Sequence, residues 1–194
     1  MRIIAGEWRG RRLEVPKGIR PMQDRERERM FAMIGPGIEG AVFLDLFAGT
    51  GAAGLEALSR GAARAIVVEN GRRVLACLRR NVEKMGAQDR ISLLDLSALA
   101  LPRTQHPGEH SIDLAVCTPP FPLLKDPARE RAFRRLFDHV MGSLLVPEGV
   151  MVLEHPARFD PAPLVERGEP GRSRRTAASA ITFFQAPARP ETPS

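Results

Sequence analysis

The stretch AVFLDLFAGTGAAGLEALSRG, residues 41–61, contains in order a strand, a glycine turn and a helix. Ala41 to Leu46 is apolar except for Asp45, the pattern of a strand buried on both faces. A helix from about Ala52 to Arg60 follows, closed by Gly61. Between them Gly49, Gly51 and Gly54 form GxGxxG, which lets backbone approach a ligand at a helix N-terminus.

Downstream the alternation continues. Arg64 to Val68 reads as a buried strand, Arg72 to Met85 as a helix with Val74, Leu75, Leu78, Val82 and Met85 on one face, and Ile91 to Leu94 as a third strand. Ile112 to Cys117 is a fourth. Ala128 to Leu145 reads as a long helix, Val150 to Leu153 as a strand after the Pro147–Gly149 turn, and Ala180 to Phe184 as the last strand signal. Upstream, Gln23 to Ile34 is a charged helix with an apolar end, stopped by Gly35, Pro36 and Gly37. Arg2 to Ala5 and Arg11 to Val15 are short β-prone stretches around a Gly6–Gly10 turn, a small hairpin appended to the main sheet. Apolar strands separated by helices predict an α/β fold with a parallel sheet covered by helices on both faces. The 194 residues suit one domain, 1–185, with residues 1–20 as a basic hairpin extension and 186–194, which hold three prolines, as a disordered tail.

Composition excludes several classes. With 43% hydrophobic and 27% charged residues the chain folds as a globule. No apolar run reaches the ~18 residues of a membrane span and the first residues lack a signal-peptide core, so a cytoplasmic protein without a membrane partner is expected, and a monomer. Cys77 and Cys117 fall on apolar faces, as buried reduced thiols do. His106, His110, His139 and His155 are scattered, and no metal is expected. The net charge is +6, and Met1 to Arg20 contributes six basic side chains against two acidic ones. That asymmetry favours a phosphate-rich partner, although 26 of the 29 basic residues are Arg and biased codon usage would scatter arginine as well.

Glu69 ends the second strand 18 residues after Gly51, where an acid accepts hydrogen bonds from a ribose diol. That pairing fits either a dinucleotide or S-adenosylmethionine. Asp45, four residues before Gly49, tips the choice, because a negative charge there suits an ammonium and a sulfonium better than a pyrophosphate. Asp95, ending the third strand, is placed to accept from an adenine amino group. Each of these carboxylates is equally placed to cap a following helix. After the fourth strand, Thr118-Pro119-Pro120-Phe121 is either a stiff loop flanking a flat substrate or an ordinary proline turn with Phe121 in the core.

Taken in order, MRIIAGEWRGRRLEVP, IRPMQDRERERMF, DLFAGTGAAGLEALSRGA, VVEN and PPF resemble the bacterial 16S (small-subunit) ribosomal RNA guanine-N2 methyltransferases, the RsmD-like family, over nearly the whole chain. The resemblance implies a Rossmann-like class I methyltransferase with seven strands, most of them parallel, and S-adenosylmethionine at the strand carboxyl ends. By matching positions it implies that Asp45, Phe47, Gly49 and Gly51 cradle the methionine part, that Glu69 binds the ribose and Asp95 the adenine. It further implies that Asp24 and Arg25 help close that pocket, that Arg2, Arg9, Arg11 and Arg12 hold the RNA, and that Thr118, Pro119, Pro120 and Phe121 form the catalytic loop, with Phe121 stacking on a flipped guanine. The implied partner is small-subunit ribosomal RNA or a 30S assembly intermediate.

The chain departs from the family pattern at Thr118, where an Asp or Asn is usual, at Met22 and Gln23, which replace paired threonines, and at Thr176-Ala177, where Tyr-Gly is common. An exocyclic amine is a poor nucleophile whose lone pair must be aimed at the methyl and whose N–H bonds must be accepted. A carboxylate supports the developing positive charge, whereas a hydroxyl accepts only a weaker neutral bond. DNA cytosine-N4 methyltransferases resemble this loop with Ser-Pro-Pro-Tyr, so a hydroxyl before two prolines is compatible with the chemistry, with the Pro119 carbonyl as a further acceptor. The sequence is also compatible with three rivals: a catalytically weakened RNA-binding or ribosome-assembly protein, a DNA exocyclic-amine methyltransferase and, last, a nicotinamide dehydrogenase, for which the chain lacks a second catalytic domain.

Overall fold

The computed structural model describes residues 1–18, 22–105, 107–164 and 170–188. Contacts divide the chain into two units, Met1–Ala98 and Leu99–Ser194. The first contains α1 (Asp24–Ile34), β1 (Val42–Leu46), α2 (Ala52–Ser59), β2 (Arg64–Glu69), α3 (Arg72–Met85) and β3 (Ile91–Asp95). The second contains β4 (Ile112–Cys117), α4 (Pro127–His139), β5 (Leu145–Pro156), β6 (Pro170–Arg175) and β7 (Ser179–Gln185). The seven strands form one sheet in the order β3-β2-β1-β4-β5-β7-β6, which bears out the α/β class read from the alternation.

In the first unit β1 pairs with β2 and β2 with β3, both parallel, so that Leu46 stands beside Val68 and Glu69 beside Asp95. The register brings three acid-bearing strand ends to one edge. Helix α3 buries Leu75, Leu78, Val82 and Met85 as its 3.6-residue pattern requires. Helix α2 sits unusually close. A Cβ on Gly54 would lie 2.7 Å from Cγ1 of buried Val67, so only glycine permits this approach. Every α2 residue except Ala53 is consequently buried, including the charged Glu56.

Glu56 is the anchor of the N-terminal segment. Its carboxylate accepts the backbone amides of Ile4 at 2.8 Å and Ala5 at 3.0 Å, pairs with Arg60 Nε at 2.7 Å, and lies 3.6 Å from Nε of Arg27. Arg27 is itself buried, bonded to Oδ1 of Asp24 at 3.0 Å and to the Arg2 carbonyl. Ser59 adds its carbonyl to the Glu7 amide and its hydroxyl to the Trp8 amide. Gly6 passes so close that any Cβ would overlap the Ser59 carbonyl, 1.6 Å away. The expected hairpin is therefore a tight antiparallel turn with a single bridge, Arg2 to Arg12, rather than a pair of strands appended to the sheet. Its Ile4, Ala5, Glu7 and Trp8 amides go to Glu56 and Ser59 of α2, while the Ile3, Gly10 and Leu13 amides bond across the turn.

The second unit pairs β4 parallel to β5, β5 antiparallel to β7 and β7 antiparallel to β6. Phe137 of α4 meets Phe184 of β7 edge-on at 4.9 Å. Two expectations need correction. The long helix ends at His139 and gives way to a π-helical turn, Val140–Leu144. The following strand begins at Leu145, not Val150, because the Pro147–Gly149 turn forms an irregularity in which the pairing moves from Ile112 beside Leu145 to Leu114 beside Val150. At the C-terminus Ala186 is still buried and bonded to the Gly149 carbonyl, so the ordered chain extends into the expected tail, and residues 189–194 lie outside the described residues. Arg20 and His106 lie outside them too. Both cysteines are buried with free thiols. Among the described residues no helix is long and apolar enough to cross a membrane.

Replacing Glu56 by Ala leaves the buried Arg27 with only the partly exposed Asp24 as counter-ion and releases two amides, so a loss of roughly 3–5 kcal/mol is expected. A lower Tm, with fast hydrogen exchange at Ile4 and Ala5, is the expected outcome; an unchanged Tm contradicts it.

Candidate active site

The turn after β1 carries the cofactor-type features. Phe47, Gly49 and Gly51 all have positive φ, at 62°, 56° and 77°, whereas Ala48 and Thr50 do not. The Ala48, Gly49 and Gly51 amides of this turn are taken by the Val68 carbonyl, the Glu69 carboxylate and the Ala48 carbonyl, each at 2.9 Å, so the alternating handedness folds the turn tightly against the end of β2. Phe47 in this region is strained, since a bulky side chain disfavours it. Its carbon skeleton is half-buried.

Two carboxylates flank the turn. Asp45 is 1% exposed and accepts the Gly54 amide at 3.1 Å. Burial, opposed by that hydrogen bond and assisted by the nearby Glu69 charge, pushes its carboxyl up to about 7. Glu69 accepts the Gly49 amide at 2.9 Å through one oxygen, and the Asn70 and Gly71 amides at 2.9 and 2.7 Å through the other. A carboxylate has about four acceptor positions. Glu69 thus pins the glycine turn and keeps capacity for one more donor. Asn81, which the sequence did not single out, ties the turn to the N-terminal segment: its amide nitrogen donates to the Thr50 and Glu14 carbonyls at 3.0 and 3.1 Å, and its oxygen accepts the Glu14 amide at 2.8 Å.

Asp95 sits beside Glu69 in the register but is exposed, with Nη2 of Arg79 at 3.8 Å. Asp24 and Arg25 are placed against the N-terminal segment. They line a hollow of about 370 Å³ with Met1, Met22 and Gln23, and a second of about 390 Å³ with Arg2, Ile3, Ile4, Arg9, Gly10 and Glu28. Arg2, Arg9, Arg11 and Arg12 are exposed. The acids of the same segment are engaged by arginines from elsewhere in the unit, Glu7 by Arg90 at 3.0 Å and Glu14 by Arg80 at 2.8 Å. The four arginines form no ion pair with described residues, so the segment presents uncompensated positive charge.

In the second unit Thr118 follows β4 directly. It is half-buried, Pro119 is buried, Pro120 is exposed and Phe121 is half-buried rather than in the core. The Pro120 carbonyl accepts the Leu123 amide at 2.8 Å, closing a short 3-10 turn over Phe121–Lys125. The Thr118 hydroxyl and the Pro119 carbonyl are bonded to no described residue. The half-buried Thr118 hydroxyl and Phe121 ring thus lie, with an unbonded Pro119 carbonyl between them in sequence, on a loop stiffened by two prolines. Glu154, whose role the sequence left open, lies within β5 beside Ile181 of β7 and is half-buried.

The sequence profile of the family described as conserved hypothetical protein 95 matches residues 1–185. The chain belongs to this family. It is 43% identical over 125 residues to ribosomal RNA small subunit methyltransferase D of Escherichia coli K12, an alignment covering 62% of the chain and 60% of that relative's length. The yhhF protein of Escherichia coli superposes with a TM-score of 0.83 at 30% identity, over 97% of this chain and 99% of that one. An RNA methyltransferase of Salinibacter ruber, solved with S-adenosyl-L-homocysteine, shares the fold at 16% identity with a TM-score of 0.62, over 89% of this chain and 98% of that one. The resemblance read from the motifs leads to the same family.

Asp45 yields a test of the site's electrostatics. A carboxyl raised from 3.8 to about 7 binds more protons folded than unfolded, so its contribution to stability falls as pH rises between those values. At ~1.4 kcal/mol per pH unit the cost at pH 8 is about 4 kcal/mol. Asp45→Asn retains an acceptor for Gly54 and removes the charge. It should be more stable than the parent at pH 8 and equal to it at pH 4, as measured by denaturant unfolding; equal stability at both values contradicts the buried charge.

Proposed function

We propose that this protein transfers a methyl group from S-adenosylmethionine to the exocyclic N2 amine of a guanine in small-subunit ribosomal RNA, acting in the cytoplasm as a monomer. The observation that carries the reading is a left-handed glycine turn at a strand end flanked by two carboxylates, the buried Asp45 and Glu69. A ligand bearing cationic groups fits two acids flanking one turn, and a pyrophosphate does not. The curated relative's name supports the substrate class.

S-adenosylmethionine supplies, when bound, an electrophilic methyl on a sulfonium. The chain's own residues supply placement. Asp45, Phe47, Gly49 and Gly51 would hold the amino-acid end, the remaining acceptor position of Glu69 would take a ribose hydroxyl, and Asp95, freed from its loose contact with Arg79, would take the adenine amine. The uncompensated Arg2, Arg9, Arg11 and Arg12 would bind RNA phosphates without sequence preference. Phe121 would stack on an extruded base, while the Thr118 hydroxyl and the Pro119 carbonyl would accept the two N–H bonds and aim the nitrogen lone pair. The proton passes to water after attack, once the nitrogen is cationic and strongly acidic, so the loop needs hydrogen-bond acceptors rather than a strong base.

Three measurements bear on the reading. Labelled methyl should pass from S-adenosylmethionine to small-subunit RNA; turnover on duplex DNA in preference to RNA, or on neither, defeats the assignment, the latter outcome favouring an RNA-binding assembly protein. Thr118→Ala should lower kcat about fivefold, from a neutral bond of ~1 kcal/mol, and Thr118→Asp should raise it by an order of magnitude or more with little change in KM for RNA. A Thr118→Ala enzyme with parental kcat removes the hydroxyl from the chemistry. Titration calorimetry should show donor affinity rising about tenfold per pH unit below 7 and levelling off above it, because the cation requires ionised Asp45. Asp45→Asn should bind weakly and without that slope.

A further inference from the structure

The hollow of about 390 Å³ beside the N-terminal turn is walled by Arg2, Arg9 and Arg25, by the backbone around Ile3, Ile4 and Gly10, and by Asp24 and Glu28. Its charge balance is not the simple count of those side chains. Asp24 is held at 3.0 Å by Arg27, a guanidinium that is itself 1% exposed, so its charge is already matched from beneath. Glu28 is then set against three exposed arginines that form no ion pair with any described residue. The wall is also rigid: Glu56 fixes the amides of Ile4 and Ala5, and Arg27 bonds the Arg2 carbonyl. Guanidiniums mounted on a fixed backbone lose less freedom on binding an anion. The volume is at the lower end for a ligand pocket, matching one sugar-phosphate unit rather than a folded segment.

We infer that Arg25, with Arg2 and Arg9, forms a subsite for a phosphodiester of the RNA strand, and that Arg25 serves substrate binding rather than closure of the donor pocket. Glu28 tunes the subsite against over-tight binding. This inference rests on the RNA reading above and adds to it a residue and a place. Arg2 and Arg9 supply forks from the pinned backbone of the turn, while Arg25 approaches from the first turn of α1, so one phosphate can be held from two elements.

The test uses the full-length protein, a fluorescein-labelled fragment of small-subunit RNA, and S-adenosylhomocysteine as the donor-site probe. Fluorescence anisotropy across a salt series should show Arg25→Gln binding the RNA about tenfold more weakly, with the slope of log K against log salt shallower by about one contact. Glu28→Gln should bind it several-fold more tightly, an opposite change that damaged folding does not produce. Calorimetry should give both variants the parental affinity for S-adenosylhomocysteine. If the parent binds RNA and Arg25→Gln retains its affinity and salt slope, the subsite is refuted; if Arg25→Gln loses S-adenosylhomocysteine instead, Arg25 belongs to the donor pocket and the inference fails. A parent that binds no RNA overturns the RNA reading itself, a distinct result.

Discussion

The close seating of α2 on β1 and β2, allowed by the missing side chain at Gly54, governs both ends of the first unit. At the helix N-terminus it brings the Gly54 amide onto Asp45 and seals that carboxylate from water. Toward the C-terminus it buries Glu56 and Ser59, whose polar atoms have no solvent and must be satisfied by the N-terminal segment. One packing distance therefore creates an under-neutralised acidic site and a docking frame for a basic arm. Asn81 joins the two by gripping Thr50 and Glu14 together.

Charge is sorted by that arrangement. Acids of the arm are paired at the surface with Arg80 and Arg90, leaving its own arginines without ion-pair partners among the described residues. Acids of the strand ends stay near the glycine turn, where burial makes one of them reluctant to ionise. A donor with cationic groups and a polyanionic acceptor are thus asked for by different parts of one unit, and a proline-stiffened loop in the second unit offers acceptors and an aromatic edge. The Thr118 hydroxyl is a weaker acceptor than a carboxylate, so the reading relies on orientation more than on charge at that position.

How much of this was legible depended on range. The apolar runs at 42–46, 64–69 and 112–117 declare buried strands because their neighbours on both sides are internal to the fold. β6 gave no such signal: Gly171, Arg172, Ser173, Arg174 and Arg175 lie exposed on a sheet edge, where nothing requires apolar alternation. The π-helical turn at Val140–Leu144 and the irregular pairing at Leu145–Val150 answer to tertiary packing that no local pattern records. Asp45 was recognisable as a strand-end acid, but its burial comes from Gly54 and Val67. Glu56 and Arg27 were missed because a helix-internal Glu and a charged-helix Arg look solvated until the partner 52 residues from Glu56 is placed. A charged residue inside the apolar AAGLEALS was the available clue.

Mass spectrometry of nucleosides from small-subunit ribosomal RNA, prepared from cells with and without this protein, should show N2-methylguanosine reduced by one residue per ribosome when the protein is missing and restored on its return. An identical nucleoside inventory in the two preparations would contradict the account.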